Sequence, residues 1–158
     1  MDPSGITLMK NGGMAWRYTS APSAPGGKSL FGKMPALAGE PDNFAATGYV
    51  CPNFQIFVRM DQVRLFTTWP LGPDRCRVQH YSLFPAVHFA QPDFKEKAAV
   101  YRDYIARVLE EDQGMVQSLQ RAMSTRAYTP GPMADLEVGI HHVLNNLLTR
   151  TIDGGEPR

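Results

Sequence analysis

The chain has 158 residues, 43% of them apolar and 20% charged, and its 16 basic and 15 acidic side chains leave a formal net charge of +1. That balance excludes an electrostatic drive toward nucleic acid or an anionic membrane surface. No apolar run approaches the roughly 20 residues a membrane-spanning helix needs, and no basic segment followed by an apolar stretch marks a secretory signal at the N-terminus.

Residues 1–46 read as an irregular, loop-rich segment. They are dense in glycine and proline and poor in periodic apolar positions, the mark of chain that decorates a fold. Short strands are expected around Thr7-Leu8-Met9 and from Ala15 to Tyr18. Cys51, and later Cys76, stand apart from each other and from any histidine, which fits reduced thiols in a cytoplasmic protein.

From Thr47 the pattern changes to a period of two. Phe54, Ile56, Val58 and Met60 alternate with Gln55, Phe57 and Arg59, and Asp61-Gln62 makes a tight turn. Val63, Leu65, Thr67 and Trp69 then alternate with Arg64, Phe66 and Thr68. After the turn Pro70-Leu71-Gly72-Pro73-Asp74, Cys76, Val78, His80, Ser82 and Phe84 fall on one face of a third run. Three alternating runs joined by short turns predict an antiparallel meander, and the mixed character of its faces predicts uneven burial.

The period becomes helical from Gln91. One helix is expected over residues 92–123, bent near Gly114, with Pro92 in its first turn and Asp93 and Glu96 at the positive end of its dipole. A second is expected over 135–148, with Leu136, Ile140, Val143, Leu144 and Leu147 as its apolar face. Residues 47–150 thus hold the sheet and two helices, and 151–158 form a disordered tail.

On the long helix Tyr101, Ile105, Val108, Asp112, Met115 and Leu119 fall within about 40° of a common direction. Five are apolar or aromatic and the sixth is a carboxylate. A carboxylate facing a core needs a metal ion, a buried arginine or backbone donors, because an unpartnered buried charge costs several kcal/mol. Periodicity leaves these alternatives open.

The run from Glu111-Asp112 through Gln113-Gly114-Met115-Val116-Gln117-Ser118-Leu119-Gln120 is followed by Ser124, Tyr128, Pro130-Gly131 and Glu137-Val138-Gly139-Ile140-His141-His142. In that order it resembles the C-terminal signature of Rieske non-haem iron oxygenase α subunits, the aromatic-ring-hydroxylating enzymes. Pro52-Asn53 and Trp69-Pro70-Leu71-Gly72-Pro73-Asp74 match the same family's sheet region, so the likeness covers residues 47–148.

The resemblance implies an α+β fold, a curved antiparallel sheet packed on a long helix in a helix-grip, START-like arrangement, here incomplete. It implies that Asp112 is the carboxylate of a two-histidine, one-carboxylate site for mononuclear Fe(II), and so the catalytic and metal residue. Ile105 and Val108, one turn away, and Phe54, Phe57 and His80 on the sheet are candidate substrate contacts. His88, His141 and His142 are expected at the surface. In such enzymes electrons from NAD(P)H reach a [2Fe-2S] cluster through a reductase or ferredoxin. The α subunits form homotrimers, sometimes with a β subunit, and act on a small organic substrate with dioxygen. The family's histidine ligands lie close together on a helix ahead of the sheet, and neither they nor the Cys-x-His pairs of a Rieske cluster occur here. The chain is therefore expected to be a fragment that is inactive alone. The competing readings are a non-enzymatic small-molecule-binding module of the same shape, with Asp112 pairing a cationic ligand or an arginine, and a protein made only for its interactions.

Overall fold

A computed structural model describes residues 5–152. Six strands form one open antiparallel sheet in chain order: β1 (Ile6–Leu8), β2 (Met14–Thr19), β3 (Phe44–Val50), β4 (Phe54–Val58), β5 (Val63–Gly72) and β6 (Arg75–Leu83). Three helices follow: α1 (Ala86–Phe89), α2 (Phe94–Met123) and α3 (Val138–Ile152). This is the expected α+β architecture, with the long helix laid on the sheet. The alternating runs fall in β4, β5 and β6, but β5 continues through Pro70, Leu71 and Gly72, so the expected five-residue turn shrinks to Pro73-Asp74. The N-terminal segment supplies β1 and β2 where short strands are expected, and together with β3 they extend the three-run meander by three strands. No described helix is long and apolar enough to cross a membrane.

Ladder register fixes which side chains share a face, because residues paired directly across an antiparallel ladder point the same way. Trp16, Thr47, Phe57, Arg64 and Ser82 form one row, and Met14, Tyr49, Gln55, Phe66 and His80 the next. These rows face the helices. The opposite face carries Val58, Val63 and Leu83, then Ile56, Leu65 and Tyr81. Tyr81 and Leu83 are about half exposed there, 45% and 49%, so burial is indeed uneven.

The core is small and lies at one end of α2. Ala24, Phe31 and Tyr101 are buried together, with Leu30, Phe84 and Phe94 packed against them. Phe31 comes from the irregular stretch between β2 and β3, which folds back over the sheet. That stretch also covers the β4–β5 turn, where Met34 N–H donates to Met60 O at 2.7 Å. Arg59, Met60, Asp61 and Gln62 are consequently all buried. The turn falls where Asp61-Gln62 predicts it, but it sits inside the molecule.

Helix α2 begins at Phe94, with Asp93 as its N-cap residue and Pro92 just ahead of it, and runs unbroken through Gly114 to Met123. Thirty residues span about 45 Å, and only the first half is held down. Tyr101 and Ile105 are buried, whereas every residue from Leu109 to Met123 is exposed. Helix α3 is rotated from the face expected: Gly139 and Asn146 are buried and Val143 and Leu147 are half-buried as expected, while Ile140 and Leu144 are 52% and 43% exposed, and Leu136 lies exposed ahead of the helix. Close approach to the edge of the sheet decides the rotation. A Cβ on Gly139 would lie 2.5 Å from Met14 Sδ, and one on Gly12 2.2 Å from Asn146 Oδ1. Gly12 also needs its freedom to hold φ +81°. Thr151 and Ile152, expected in a disordered tail, belong to α3; residues 153–158 of that tail lie outside the described residues.

Candidate functional site

The tip of the β5–β6 hairpin and the second half of α2 diverge and leave an open cleft of about 1100 Å³. Thr68, Pro70, Cys76 and Val78 line it from the hairpin, and Ala106, Leu109, Asp112 and Val116 from the helix. Glu110 and Asp74 also lie in its walls, so three carboxylates border the space.

Asp112 is exposed, which corrects the expectation that it is forced into a core. The stripe is real at its start, where Tyr101 is 0% and Ile105 3% exposed, but Met115 and Leu119 are 66% and 56% exposed. Periodicity identifies the side of a helix; it does not say how far along that side the rest of the chain reaches. No ion pair engages Asp112 among the described residues, so neither an arginine nor a lysine takes the role the stripe left open.

Ile105 is packed into the core side of α2, and Val108 is half-buried beyond it. Neither belongs to the cleft lining. On the sheet, Phe57 and His80 are gathered around Phe66. The Phe57 and Phe66 rings meet edge-on at 5.4 Å, and the Phe66 and His80 rings lie 4.7 Å apart. Phe54 points from the other face of β4, where it pairs with Thr67, so the structure does not bring it to this group. Burial, and then the charge of Arg64, hold the His80 imidazole below its ordinary pKa of 6.5. His80 Nε2 is buried without a partner.

His88 is not at the surface. It is 2% exposed and stacks on Phe31 at 5.0 Å, because α1 folds across the end of the core. His141 is exposed, and the His142 ring bonds Met9 O at 2.9 Å. Among the described residues no three His, Cys, Asp or Glu side chains gather as a metal ion requires. One exposed carboxylate does not fit a mononuclear iron by itself.

Sequence reading missed a polar group beneath the core. Asp61 is fully buried, and its Oδ2 accepts bonds from Ser29 Oγ at 2.6 Å, Phe31 N–H at 3.3 Å and the Tyr101 hydroxyl. Arg59 and Arg64, each 7% exposed, lie on the helix-facing side next to it. The signal was in the alternation, where Arg59 shares its parity with Phe57, and Arg64 with Phe66. Two arginines in a row of aromatic side chains mark a face that is neither solvated nor plain core.

No curated protein matches this chain. The family model described as ring hydroxylating alpha subunit (catalytic domain) matches residues 2–151. That span includes the whole sheet, the cleft and nearly all of both long helices, and the chain belongs to this family of oxygenase catalytic domains.

Proposed function

We propose that this chain forms the C-terminal part of the catalytic domain of a Rieske-type terminal oxygenase that hydroxylates an organic, aromatic substrate with dioxygen. The observation that carries this reading is the position of Asp112. It stands at the wall of the cleft between hairpin and helix, in a chain whose family match covers nearly its full length. In this reading Asp112 gives one anionic oxygen ligand to a mononuclear iron, and two histidines come from a segment other than these 158 residues. Phe57 and His80, on the helix-facing side of the sheet, contact substrate that reaches inward from the cleft, whereas Ile105, Val108 and Phe54 lie off its lining and pack the fold. The [2Fe-2S] cluster and the sites for a ferredoxin or reductase belong to other parts of the assembled, trimeric enzyme. The chain alone is then inactive, and the enzyme works in the cytoplasm.

The test uses a polypeptide in which the histidine-bearing and cluster-bearing segments accompany this chain. Asp112→Ala is expected to remove the mononuclear iron and abolish substrate hydroxylation, while the visible absorption of the Rieske cluster persists. An unchanged iron-to-protein ratio in Asp112→Ala would remove Asp112 from the site. The 158-residue chain alone is expected to take up no stoichiometric Fe(II).

A further inference from the structure

Arg59 and Arg64 are buried together on the helix-facing side of the sheet, and neither has a carboxylate within ion-pairing distance among the described residues. Arg64 is held from one side only. Its Nη2 donates to Ser23 Oγ at 2.8 Å, its guanidinium lies 5.9 Å from the Phe57 ring centre, and its Nε has no partner. Arg59 is similar: Nη1 donates to Val58 O at 2.9 Å, the guanidinium lies 5.4 Å from the Tyr18 ring centre, and Nε is unpartnered. The buried carboxylate nearest in sequence, Asp61, is already engaged by Ser29, Phe31 and Tyr101. The buried set therefore holds two guanidinium groups against one carboxylate.

An uncompensated guanidinium is costly to bury, and its planar fork pairs bidentately with a carboxylate, the anion whose flat shape continues the plane of an aromatic ring. The local field is also positive. Burial first, and then the charge of Arg59, push the Arg64 guanidinium down to about 10, and Arg64 in turn disfavours the charged form of His80.

The surroundings say what the anion is attached to. From Arg64 the same face continues through Phe66, paired with His80, to Thr68, paired with Val78, and both Thr68 and Val78 line the cleft. A row of aromatic rings thus leads from the arginines toward the cleft. On the facing helix, Tyr104 is close enough to Arg64 to interact with it electrostatically. Asp112 lies eight residues further on, about 12 Å along the axis.

We propose that Arg64, with Arg59 beside it, is a binding subsite for the carboxylate of a small aromatic acid whose ring lies along Phe57, Phe66 and His80 toward the cleft. Calling that acid the substrate rests on the oxygenase reading above; the binding itself does not.

The two are separable by experiment. The intact 158-residue chain is titrated with sodium benzoate, with neutral benzamide and with sodium acetate, and followed by amide chemical shifts. Saturable benzoate binding is expected, with shifts centred on β5 and β6; benzamide should bind about tenfold weaker or more because it lacks the charge-assisted hydrogen bonds, and acetate about tenfold weaker or more because it lacks the ring that lies along the aromatic row. Arg64→Gln is expected to weaken benzoate at least about tenfold, and Arg77→Gln, at an exposed position on the other face, to leave it unchanged. Should Arg64→Gln fail to fold, Arg59→Gln and the comparison of benzoate with benzamide on the unmodified chain decide the matter. Absence of saturable benzoate binding overturns the proposal, as does equal binding of benzamide or of acetate. So does undiminished benzoate affinity in the folded arginine variants. Asp112→Ala is expected to retain benzoate binding, so loss of the iron assignment and loss of this one give different results.

Discussion

Tyr101 joins three parts of the chain with one oxygen. Its hydroxyl donates to Asp61 Oδ2 in the β4–β5 turn and accepts from Leu30 N–H at 3.1 Å in the irregular segment. Tyr101→Phe leaves a buried N–H and a buried carboxylate oxygen short of a partner, and is expected to cost about 1–3 kcal/mol. Burial, reinforced by Asp61, pushes the phenol pKa above its ordinary 10.0, so the folded chain holds that proton more tightly than the unfolded chain. The stabilisation is then complete below pH 10 and drains away as the pH climbs toward the folded value. Urea unfolding should therefore show a gap between the parent chain and Tyr101→Phe that is constant below about pH 10 and narrows as the pH rises beyond it; a gap that stays unchanged above that pH would argue against the network. None of this was legible in the sequence, where Asp61 reads as an ordinary turn residue. The family signature singles out Asp112, but the covering layer that the apolar stripe assigns to it is absent among the described residues. A helical period records which side of α2 is apolar, and the alternation that places Arg64 on one face of its strand does not show what lies opposite.

At the scale of elements, α2 is two different helices in one. Its first half is anchored by Tyr101 and Ile105, and its second half is stabilised mainly by its own backbone. Isolated helical segments of that length are marginal in water, so local propensity matters more here than in the anchored half. A Cβ at Gly114 would meet nothing within 4 Å. Gly114→Ala is accordingly expected to stabilise the second half by about 0.5–1 kcal/mol. The gain should appear as slower amide exchange around residues 110–120 and should barely move the global unfolding midpoint, because that half opens without the core. Slower exchange throughout the sheet would mean instead that the helix end and the core unfold as one. The last three strands, β4 to β6, and both long helices were readable because alternation and helical spacing are written locally. The rotation of α3 was not, since it is set by Gly139 meeting Met14 and Asn146 meeting Gly12, contacts between positions far apart in the chain.

Taken whole, the molecule buries a compact cluster at one end and leaves apolar side chains uncovered over much of the rest. Met115, Val116 and Leu119 on α2 are 56–66% exposed, Ile140, Leu148 and Ile152 on α3 are 52–75% exposed, and Trp69 and Leu71 stand out from the hairpin at 51% and 54%. Scattered exposed residues of this kind are ordinary, but rows of them along a helix form a contiguous patch. The net charge of +1 offers almost no long-range repulsion between copies. The isolated chain is therefore expected to enhance the fluorescence of an apolar dye while folded, and to sediment faster as its concentration rises. Sulfate should strengthen the association, because it favours apolar burial, where screening of a charge-driven contact would weaken it. Val116→Glu with Leu119→Glu is expected to reduce both dye binding and association without lowering the unfolding midpoint, since neither side chain is part of the buried cluster. A chain that stays monomeric and dark to the dye at every concentration would mean that these rows are too dispersed to act as one surface. A double variant that unfolds would place them within the stability of the core, and α2 would then have to be treated as a single cooperative element.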